Sequence, residues 1–371
     1  MVTITNFILM VMVFNLCISL VQSVTGHFSF KEEFPKWVER QDKMLLTTDD
    51  AHFDMIVAGD GSGKYVKVMD AVSAAPKNSK KRFVIKVKKG IYMENVIIGP
   101  DKPKLMIIGE GMDVTVISGN LSHRGNNLTS YDTATFGVDG DGFIARDITF
   151  KNTAGPMNEQ AVALRSSSEK SIFYRCRIDG YQDSLYAHSL RQFYKECIIS
   201  GTVDFIFGYA AAVFQNCDIL VKKGLPGQYN TIAAQGGEFK PNIPFGFVLQ
   251  FCNIYADSDL LPVVHSTKTY LGRPWHARSK TVFMQSNISS VVSPEGWSEW
   301  AGKPEFSDTL YYAEFKNYGQ GAVLKNRIRW RGYHILRDFK EANKFTVAQL
   351  ISGNTWIPSD VPFTPGFGLG N

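Results

Sequence analysis

Four short segments of this chain share a Cys-x-Ile core and decide its fold: "FYRCRIDG" (173–180), "FYKECIISG" (193–201), "FQNCDILV" (214–221) and "LQFCNIYA" (249–256). Their cysteines lie 21, 20 and 35 residues apart, and the last interval contains the insertion "KKGLPGQYNTIAAQGGEFKPNIPF". A period of about 20 residues built of short β runs is typical of a solenoid. Leucine-rich repeats share this period but need a Leu-x-x-Leu-x-Leu frame, which is absent. The repeat therefore predicts a parallel β-helix.

The repeat extends upstream through "FIARDITF" (143–150) and "VTVISGN" (114–120). Runs rich in Val, Ile, Phe and Thr, separated by Gly, Asn and Asp, dominate the rest of the chain, so the protein is predicted to be all-β. The segment "VAGDGSGKY" (57–65) fails the phosphate-loop pattern and is interpreted as a turn before a short helix at about 65–75. We expect the β-helix domain to span residues 49–363, with a C-terminal tail over 364–371.

The first 23 residues contain no Asp, Glu, Lys or Arg and have an apolar core from about Phe7 to Val21. This pattern predicts a secretory signal peptide over residues 1–23, followed by an N-terminal extension over 24–48. A single membrane anchor is the alternative, but the apolar stretch is short and is interrupted by Asn15 and Ser19. No later segment is predicted to cross a membrane.

Two other features of the sequence agree with secretion. N-glycosylation sequons occur at Asn120, Asn127 and Asn287. Four cysteines remain after signal cleavage, and an oxidising compartment permits disulfides. Equivalent positions of successive coils stack at about 4.8 Å, so we predict a bridge between Cys197 and Cys217. A ladder of free, buried cysteines is the alternative.

Charge and motif content exclude several functions. The net charge of +5 suits an anionic partner, but there is no dense Lys/Arg stripe that would indicate nucleic acid. The seven histidines are scattered without zinc-ligand spacing, so neither a metal nor a cofactor is expected. A G-x-S-x-G nucleophile elbow is absent from the sequence.

Two aspartates occupy the same position of consecutive repeats. Asp183 lies seven residues after Cys176, and Asp204 lies seven residues after Cys197. Stacking should hold their carboxyl groups roughly 5 Å apart, where both cannot easily ionise, so one should be protonated and the other charged. This arrangement suits an acid beside a nucleophile or base, although stacked Asp side chains also form purely structural ladders. The adjacent amide of Gln182 and the nearby aromatic side chains indicate a carbohydrate groove, with aromatic surface from Tyr186, Phe205 and Phe207.

At these residues the chain resembles the plant pectinesterases (pectin methylesterases). The resemblance spans about residues 53–363 and rests on five motifs in the family's order and spacing: "GIYMEN" (90–95), "QAVALR" (160–165), "GYQDSLY" (180–186), "GTVDFIFG" (201–208) and "LGRPW" (271–275). It implies a right-handed parallel β-helix with long loops around a substrate groove. It also implies a secreted, monomeric cell-wall enzyme that removes methyl esters from the galacturonate units of pectin. A proteinaceous pectinesterase inhibitor would be a further partner.

The resemblance also implies roles for individual residues. Asp204 matches the nucleophile, and Asp183 matches the general acid that later acts as base. Gln160 and Gln182 match the amides that stabilise the oxyanion, and Arg273 matches the residue that pairs with the nucleophile. The expected substrate contacts are Ser130, Tyr131, Gln160, Tyr186, Phe207, Tyr270, Arg273, Trp275 and Trp300.

Several positions depart from the family pattern. Ser184 and Ser130 replace Thr, which keeps a hydroxyl, whereas Tyr209 stands where Asn is usual and Gly237 where Arg is common. About 30 residues between signal peptide and domain leave no room for an inhibitor-like pro-region, so a short form is expected.

Two other functions compete with the esterase interpretation. A β-helical pectin depolymerase also pairs carboxylates if it is a hydrolase, but a lyase would need an acidic calcium cluster that is not seen near Asp183 or Asp204. A wall-binding protein with a lost active site would lack an aspartate or Arg273, and all of these residues are present.

Overall fold

The computed structural model describes residues 53–238 and 240–368. The predicted signal peptide (1–23) and N-terminal extension (24–48) lie outside the described residues. The strands run in chain order as β1 (Met55–Val57), β2 (Phe83–Val87), β3 (Gly90–Met93), β4 (Val96–Ile98), β5 (Leu105–Ile108), β6 (Thr115–Gly119), β7 (Phe136–Val138), β8 (Ile144–Arg146), β9 (Thr149–Asn152), β10 (Leu164–Ser166), β11 (Ser171–Tyr174), β12 (Arg177–Asp179), β13 (Leu185–Ala187), β14 (Arg191–Lys195), β15 (Ile198–Gly201), β16 (Ile206–Gly208), β17 (Ala211–Gln215), β18 (Asp218–Val221), β19 (Asn230–Gln235), β20 (Gly246–Gln250), β21 (Asn253–Ala256), β22 (Thr269–Gly272), β23 (Lys280–Met284), β24 (Asn287–Ile288), β25 (Tyr311–Phe315) and β26 (Tyr333–Ile335).

These strands form three parallel sheets, which confirms the predicted parallel β-helix. Sheet A has the order β1-β2-β5-β8-β11-β14-β17-β20-β23-β25-β26, sheet B β24-β21-β18-β15-β12-β9-β6-β3, and sheet C β22-β19-β16-β13-β10-β7-β4. From β2 to β24 the chain visits A, B and C in turn, so each coil adds one strand to each sheet, and the last two strands, β25 and β26, both join sheet A. Neighbouring strands pair in parallel register.

The Cys-x-Ile repeat fills the interior of the helix. Its isoleucines stack in register on sheet B, where Ile178, Ile199, Ile219 and Ile254 are buried. On sheet A the inward column contains an aromatic stack, in which Phe173 and Tyr194 have ring centroids 4.9 Å apart. Successive side chains of a strand point to opposite faces, so every second side chain faces the interior and stacks on its equivalent in the next coil.

The corner from sheet A to sheet B explains the cysteines. The residue before each one is left-handed, as at Arg175 and Glu196, and the cysteine then turns into the interior. All four cysteines of the described chain are free and buried, so the structure does not contain the predicted Cys197–Cys217 bridge. Cys197 Sγ donates to Phe173 O at 3.2 Å.

The helices lie outside the three sheets. They are α1 (Val68–Ala74), α2 (His123–Asn126), α3 (Phe306–Thr309), α4 (Phe339–Ala342) and α5 (Val347–Leu350), with 3-10 turns at Ser130–Thr133, Pro156–Asn158, Leu261–Ser266, Gln320–Ala322, Leu324–Asn326, Asn343–Phe345 and Gly353–Thr355.

Helix α1 is the short N-terminal helix predicted at about 65–75. Glu94, from the "GIYMEN" motif, caps its start by accepting from the backbone N–H groups of Val68 (2.8 Å) and Met69 (2.9 Å). Lys102 Nζ donates to the carbonyl of Ser73 at 3.0 Å near its end. A carboxylate at the N-terminus and an ammonium at the C-terminus also complement the helix dipole.

The C-terminal segment packs on the outer face of sheet A. A ladder of buried glutamines holds its backbone: Gln215 donates to Thr364 O (2.9 Å), and Gln250 donates to Gly366 O (2.7 Å). Within 53–238 and 240–368 no helix has the length and apolar character needed to span a bilayer. The same residues contain no cluster of side chains suited to a metal ion.

Candidate active site

Asp183 and Asp204 lie side by side at the corner that leads into sheet C. Leu185 pairs with Ile206, and each aspartate precedes its strand by two residues, so the predicted shared register is confirmed. Both aspartates are left-handed, with φ of 62° and 51°. Asp tolerates this conformation better than most residues, although it costs free energy and is often found at functional sites.

Asp204 is surrounded by hydrogen-bond donors. Arg273 reaches both carboxylate oxygens, with Nε 2.8 Å from Oδ1 and Nη2 2.7 Å from Oδ2. Thr231 donates its hydroxyl to Oδ1 at 2.6 Å and accepts from the backbone N–H of Asp204 at 2.8 Å. A bidentate guanidinium is among the strongest partners of a carboxylate, so this side chain is held in one orientation.

Arg273 is itself fixed from two sides. Its Nη1 donates to the hydroxyl of Tyr229 at 3.0 Å, and its guanidinium lies 4.3 Å from the centre of the Trp300 ring. Burial lowers the pKa of Arg273, but the charge and hydrogen bonds of Asp204 outweigh that effect, and the pKa is raised overall. The arginine therefore remains a permanent cation against Asp204.

Asp183 has a different environment. It is 7 % exposed, and the hydroxyl of Ser130 approaches its Oδ2 at 3.4 Å. Burial, followed by the charge of Asp204, holds the pKa of Asp183 well above its usual range, while Arg273 and Ser130 act in the opposite direction. The two stacked carboxyl groups thus differ in surroundings: burial favours the protonated form of Asp183, whereas Asp204 lies against the Arg273 guanidinium.

The two glutamines predicted to stabilise an oxyanion lie on adjacent coils next to the aspartates. The backbone N–H of Ala161 donates to Gln182 O at 3.2 Å, which places Gln160 beside Gln182. Both are half-buried. Oε1 of Gln160 is buried without a hydrogen-bond partner among the described residues. Such an unsatisfied buried atom costs about 1–3 kcal/mol and is expected where a ligand completes the site.

The predicted substrate aromatics form two groups. In the first, Tyr186 stacks on Phe207 at 4.1 Å, Trp275 lies 5.7 Å from Phe207, and Tyr131 lies 6.5 Å from Tyr186. Phe205, also predicted to supply groove surface, is instead fully buried in the core; it precedes β16 and does not share the face of Phe207. The first group therefore provides a continuous aromatic strip beside the aspartates.

The second aromatic group adjoins Arg273. Tyr270 pairs in register with Thr231 and meets Tyr229 edge-on at 5.5 Å, while Trp300 covers Arg273. Arg273 and its partner Asp204 thus lie between the two aromatic groups.

Sequence reasoning missed the residues that hold this site together. Thr231 and Tyr229 follow the repeat cysteine Cys217 by 14 and 12 residues, because the insertion after β18 displaces the coil. Counting seven residues from Cys217 therefore fails, and only strand pairing between β16 and β19 reveals Thr231 next to Asp204. Thr231 lies in the β-type run "NTIAAQ" (230–235) inside the insertion, and recognising that run as a strand of sheet C could have found it.

A second missed set positions Tyr131 at the groove edge. The Arg165 guanidinium lies 3.7 Å from the Tyr131 ring centre, and its Nη1 donates to Asp139 at 2.6 Å. Tyr131 also donates to Asp139 at 3.4 Å. Arg165, the last residue of "QAVALR", is thus a buried support for a ring that is 39 % exposed.

The predicted glycosylation sites differ in accessibility. Asn120 and Asn127 are exposed, whereas Asn287 is half-buried at the start of β24.

The structure thus combines a parallel β-helix with an arginine-paired aspartate, a buried aspartate of raised pKa and an aromatic groove. Residues 54–354 match the family model for Pectinesterase, and the chain belongs to the pectinesterase family.

Similar proteins agree with this assignment. The chain is 54% identical over 336 residues to "Probable pectinesterase/pectinesterase inhibitor 44" of Arabidopsis thaliana, covering 90% of this chain and 63% of that protein. It is 56% identical to "Pectinesterase/pectinesterase inhibitor PPE8B" of Prunus persica, covering 91% and 64%. The chain thus spans less than two thirds of the length of these curated relatives.

Among solved structures, the pectin methylesterase from carrot has a TM-score of 0.83 and 46% identity, covering 86% of this chain and 99% of that one. The pectin methylesterase from Aspergillus niger has a TM-score of 0.71 and 28% identity, covering 83% and 98%. Both likenesses support the fold described above.

Proposed function

We propose that this protein is a pectin methylesterase, which hydrolyses the methyl esters of galacturonate units in pectin to give pectate and methanol. The observation that carries the proposal is the unequal pair of stacked aspartates: Asp204 paired to Arg273 at 2.7 and 2.8 Å, and Asp183 buried with a raised pKa. Membership of the family and the likeness to the carrot pectin methylesterase support it.

The first half of the reaction forms an acyl-enzyme. Asp204 attacks the ester carbonyl carbon, and the carbonyl electron pair moves to oxygen, where the amides of Gln160 and Gln182 donate hydrogen bonds. We assign the attack to Oδ2, because Oδ1 already accepts from both Arg273 and Thr231. Collapse expels the methoxy oxygen, which takes the proton of Asp183 and leaves as methanol.

The second half returns the enzyme to its starting state. Asp183, now anionic, takes a proton from water, whose oxygen attacks the galacturonyl carbon of the anhydride. The C–O bond to Asp204 breaks and its electron pair returns to the carboxylate, where Arg273 stabilises the charge. The product carboxyl group is released, and Asp183 is again protonated for the next cycle.

The groove residues bind the sugar chain around this centre. Tyr131, Tyr186, Phe207 and Trp275 would stack against sugar rings on one side, and Tyr270 and Trp300 would do so beyond Arg273. Ser130 would orient Asp183 and contact the substrate. We further propose a secreted, monomeric, N-glycosylated cell-wall protein that needs no cofactor, with pectin as its substrate and a proteinaceous inhibitor as a second partner.

The test is methanol release from highly methylated pectin by the purified full chain, with polymer length measured in parallel. Wild type should release methanol without shortening the polymer, and Asp204→Asn should release none while keeping its melting temperature. Asp113→Asn is the matched control, because this aspartate is 73% exposed and pairs only with surface Arg177; it should retain full activity.

Two results would overturn the proposal. Polymer shortening without methanol would indicate a depolymerase. Pectin binding without either product, by a folded wild-type protein across a broad pH range, would indicate a wall-binding protein.

A further inference from the structure

An open recess lies beside the aromatic strip, at the corner where sheet C leads into sheet A. It encloses about 370 Å³, part of it open to solvent. One side is formed by Ser189 and Leu190, between β13 and β14, and the other by the loop residues Ile243, Pro244 and Phe245 before β20. None of these positions belongs to the motifs that carried the family resemblance.

Tyr209 forms the wall shared by the recess and the groove. Its ring lines the recess and also lies 5.0 Å from the Trp275 ring. Its hydroxyl lies 3.2 Å from His276 Nε2. A Cβ on Gly236 would come within 2.4 Å of the Tyr209 ring, so the glycine makes room for the ring to lie flat. The tyrosine at this position, where the family usually has Asn, therefore extends the aromatic strip from Trp275 to the recess.

The recess has a mainly apolar chemistry. Leu190, Ile243, Pro244 and Phe245 present hydrocarbon, and Lys240 contributes at the exposed rim. An apolar wall favours an uncharged methyl ester, since an ionised carboxylate loses hydration there. The tyrosine ring offers a flat face for the C–H surface of a sugar ring.

The recess lies within reach of the same substrate chain. Tyr209 follows Asp204 by five residues, which span at most on the order of 15 Å even if fully extended. A polymer whose reacting unit lies at Asp204 and crosses Trp275 can thus place a further unit against Tyr209.

We propose that this recess is a distal subsite of the groove that takes a methyl-esterified galacturonate unit, with its ester methyl against the apolar wall. The inference rests on the proposed esterase function. The protein would then prefer stretches of pectin that are esterified at the reacting unit and also at a unit several residues away. Tyr209, Ile243 and Leu190 would set this preference.

The test compares fully methyl-esterified octagalacturonate with trigalacturonate, the latter being too short to reach both sites. Tyr209→Asn and Ile243→Ser should raise KM for the octamer about three- to tenfold more than KM for the trimer, from the loss of a few apolar groups in contact. Tyr255→Asn is the matched control, because it makes the same substitution at a tyrosine that lies on β21 of sheet B, away from the recess; it should change neither KM.

A binding measurement separates this inference from the esterase proposal. In an Asp204→Asn background, calorimetry should show weaker octamer binding when Tyr209→Asn is added, and an octamer esterified only at the reacting unit should bind no better than that variant. If the wild type released no methanol but Tyr209→Asn still weakened octamer binding, only the esterase proposal would be refuted. Equal octamer binding with and without the Tyr209 ring, or tighter binding of the unesterified octamer, would overturn the subsite.

Discussion

Thr231→Val is the substitution that most directly tests how the candidate nucleophile is held. The side chain is fully buried and makes two hydrogen bonds with one residue: it donates to Asp204 Oδ1 at 2.6 Å and accepts from Asp204 N at 2.8 Å. Valine has nearly the same shape but no hydroxyl. It therefore removes both bonds without opening a cavity.

The cost follows from those two bonds. A hydrogen bond to a charged group contributes about 1.5–3 kcal/mol, and a buried N–H left without a partner costs about 1–3 kcal/mol. Because both losses fall on Asp204 and are partly compensated by the new methyl, we expect the free energy of unfolding to fall by about 2–4 kcal/mol. For a domain of this size that lowers the melting temperature by roughly 3–7 °C.

The rate of methanol release should fall by more than the loss of folding stability alone would cause. Arg273 still pairs with Asp204, so the charge remains, but the left-handed corner loses its restraint and the carboxylate can rotate. A misplacement of about 1 Å costs roughly a hundredfold in rate. We expect kcat for methanol release from pectin to fall about 10–100-fold, with KM changed less than threefold.

Thr231→Ser is the matched control, because serine keeps the hydroxyl and loses only a methyl group. It should recover most of the activity and the melting temperature. If Thr231→Val retained kcat within twofold of wild type, or if Thr231→Ser were as impaired as Thr231→Val, the assignment of Thr231 as the residue that positions Asp204 would be refuted.

Three further predictions follow from the same contacts. Arg273→Lys keeps the charge but cannot bond both oxygens of Asp204, so kcat/KM for methanol release should fall at least tenfold; a change under twofold would contradict this. Asp183 has a raised folded-state pKa, so its stabilising contribution is complete below about pH 4 and is lost as pH rises through that pKa. Asp183→Asn should therefore gain melting temperature over wild type progressively above pH 4, and a pH-independent difference would count against it. Gln250→Ala removes the 2.7 Å bond to Gly366 O and should hasten proteolysis near the C-terminus; unchanged cleavage would argue against that anchoring role.

The sequence predicted the regular part of this fold well, for a physical reason. Each coil must fill the same interior position, so an isoleucine recurs there in successive coils: Ile178, Ile199, Ile219 and Ile254. The spacing of these residues in the sequence therefore predicts directly which residues stack. The register of the two aspartates followed from that stacking without any knowledge of loops.

Prediction failed where the coils lose their common length. The insertion after β18 shifts Thr231 out of the repeat count, and the contact between Arg273 and Asp204 joins residues 69 positions apart. The resemblance to a family predicted that Arg273 pairs with the nucleophile, but the repeat spacing alone could not predict this contact.

The unequal aspartates can be traced to their order in one column of sheet C. Strand pairing stacks Val162, Asp183, Asp204 and Thr231 on successive coils. Asp183 therefore has an apolar neighbour below and a carboxylate above, and both raise its pKa. Asp204 has a hydroxyl above, and the longer coil beyond brings Arg273 back over it. Two residues with the same backbone conformation thus receive different surroundings, because the helix changes from apolar to polar rungs between them. The insertion that defeats the repeat count is what makes the two carboxyl groups different, and a perfectly regular solenoid would lack that difference.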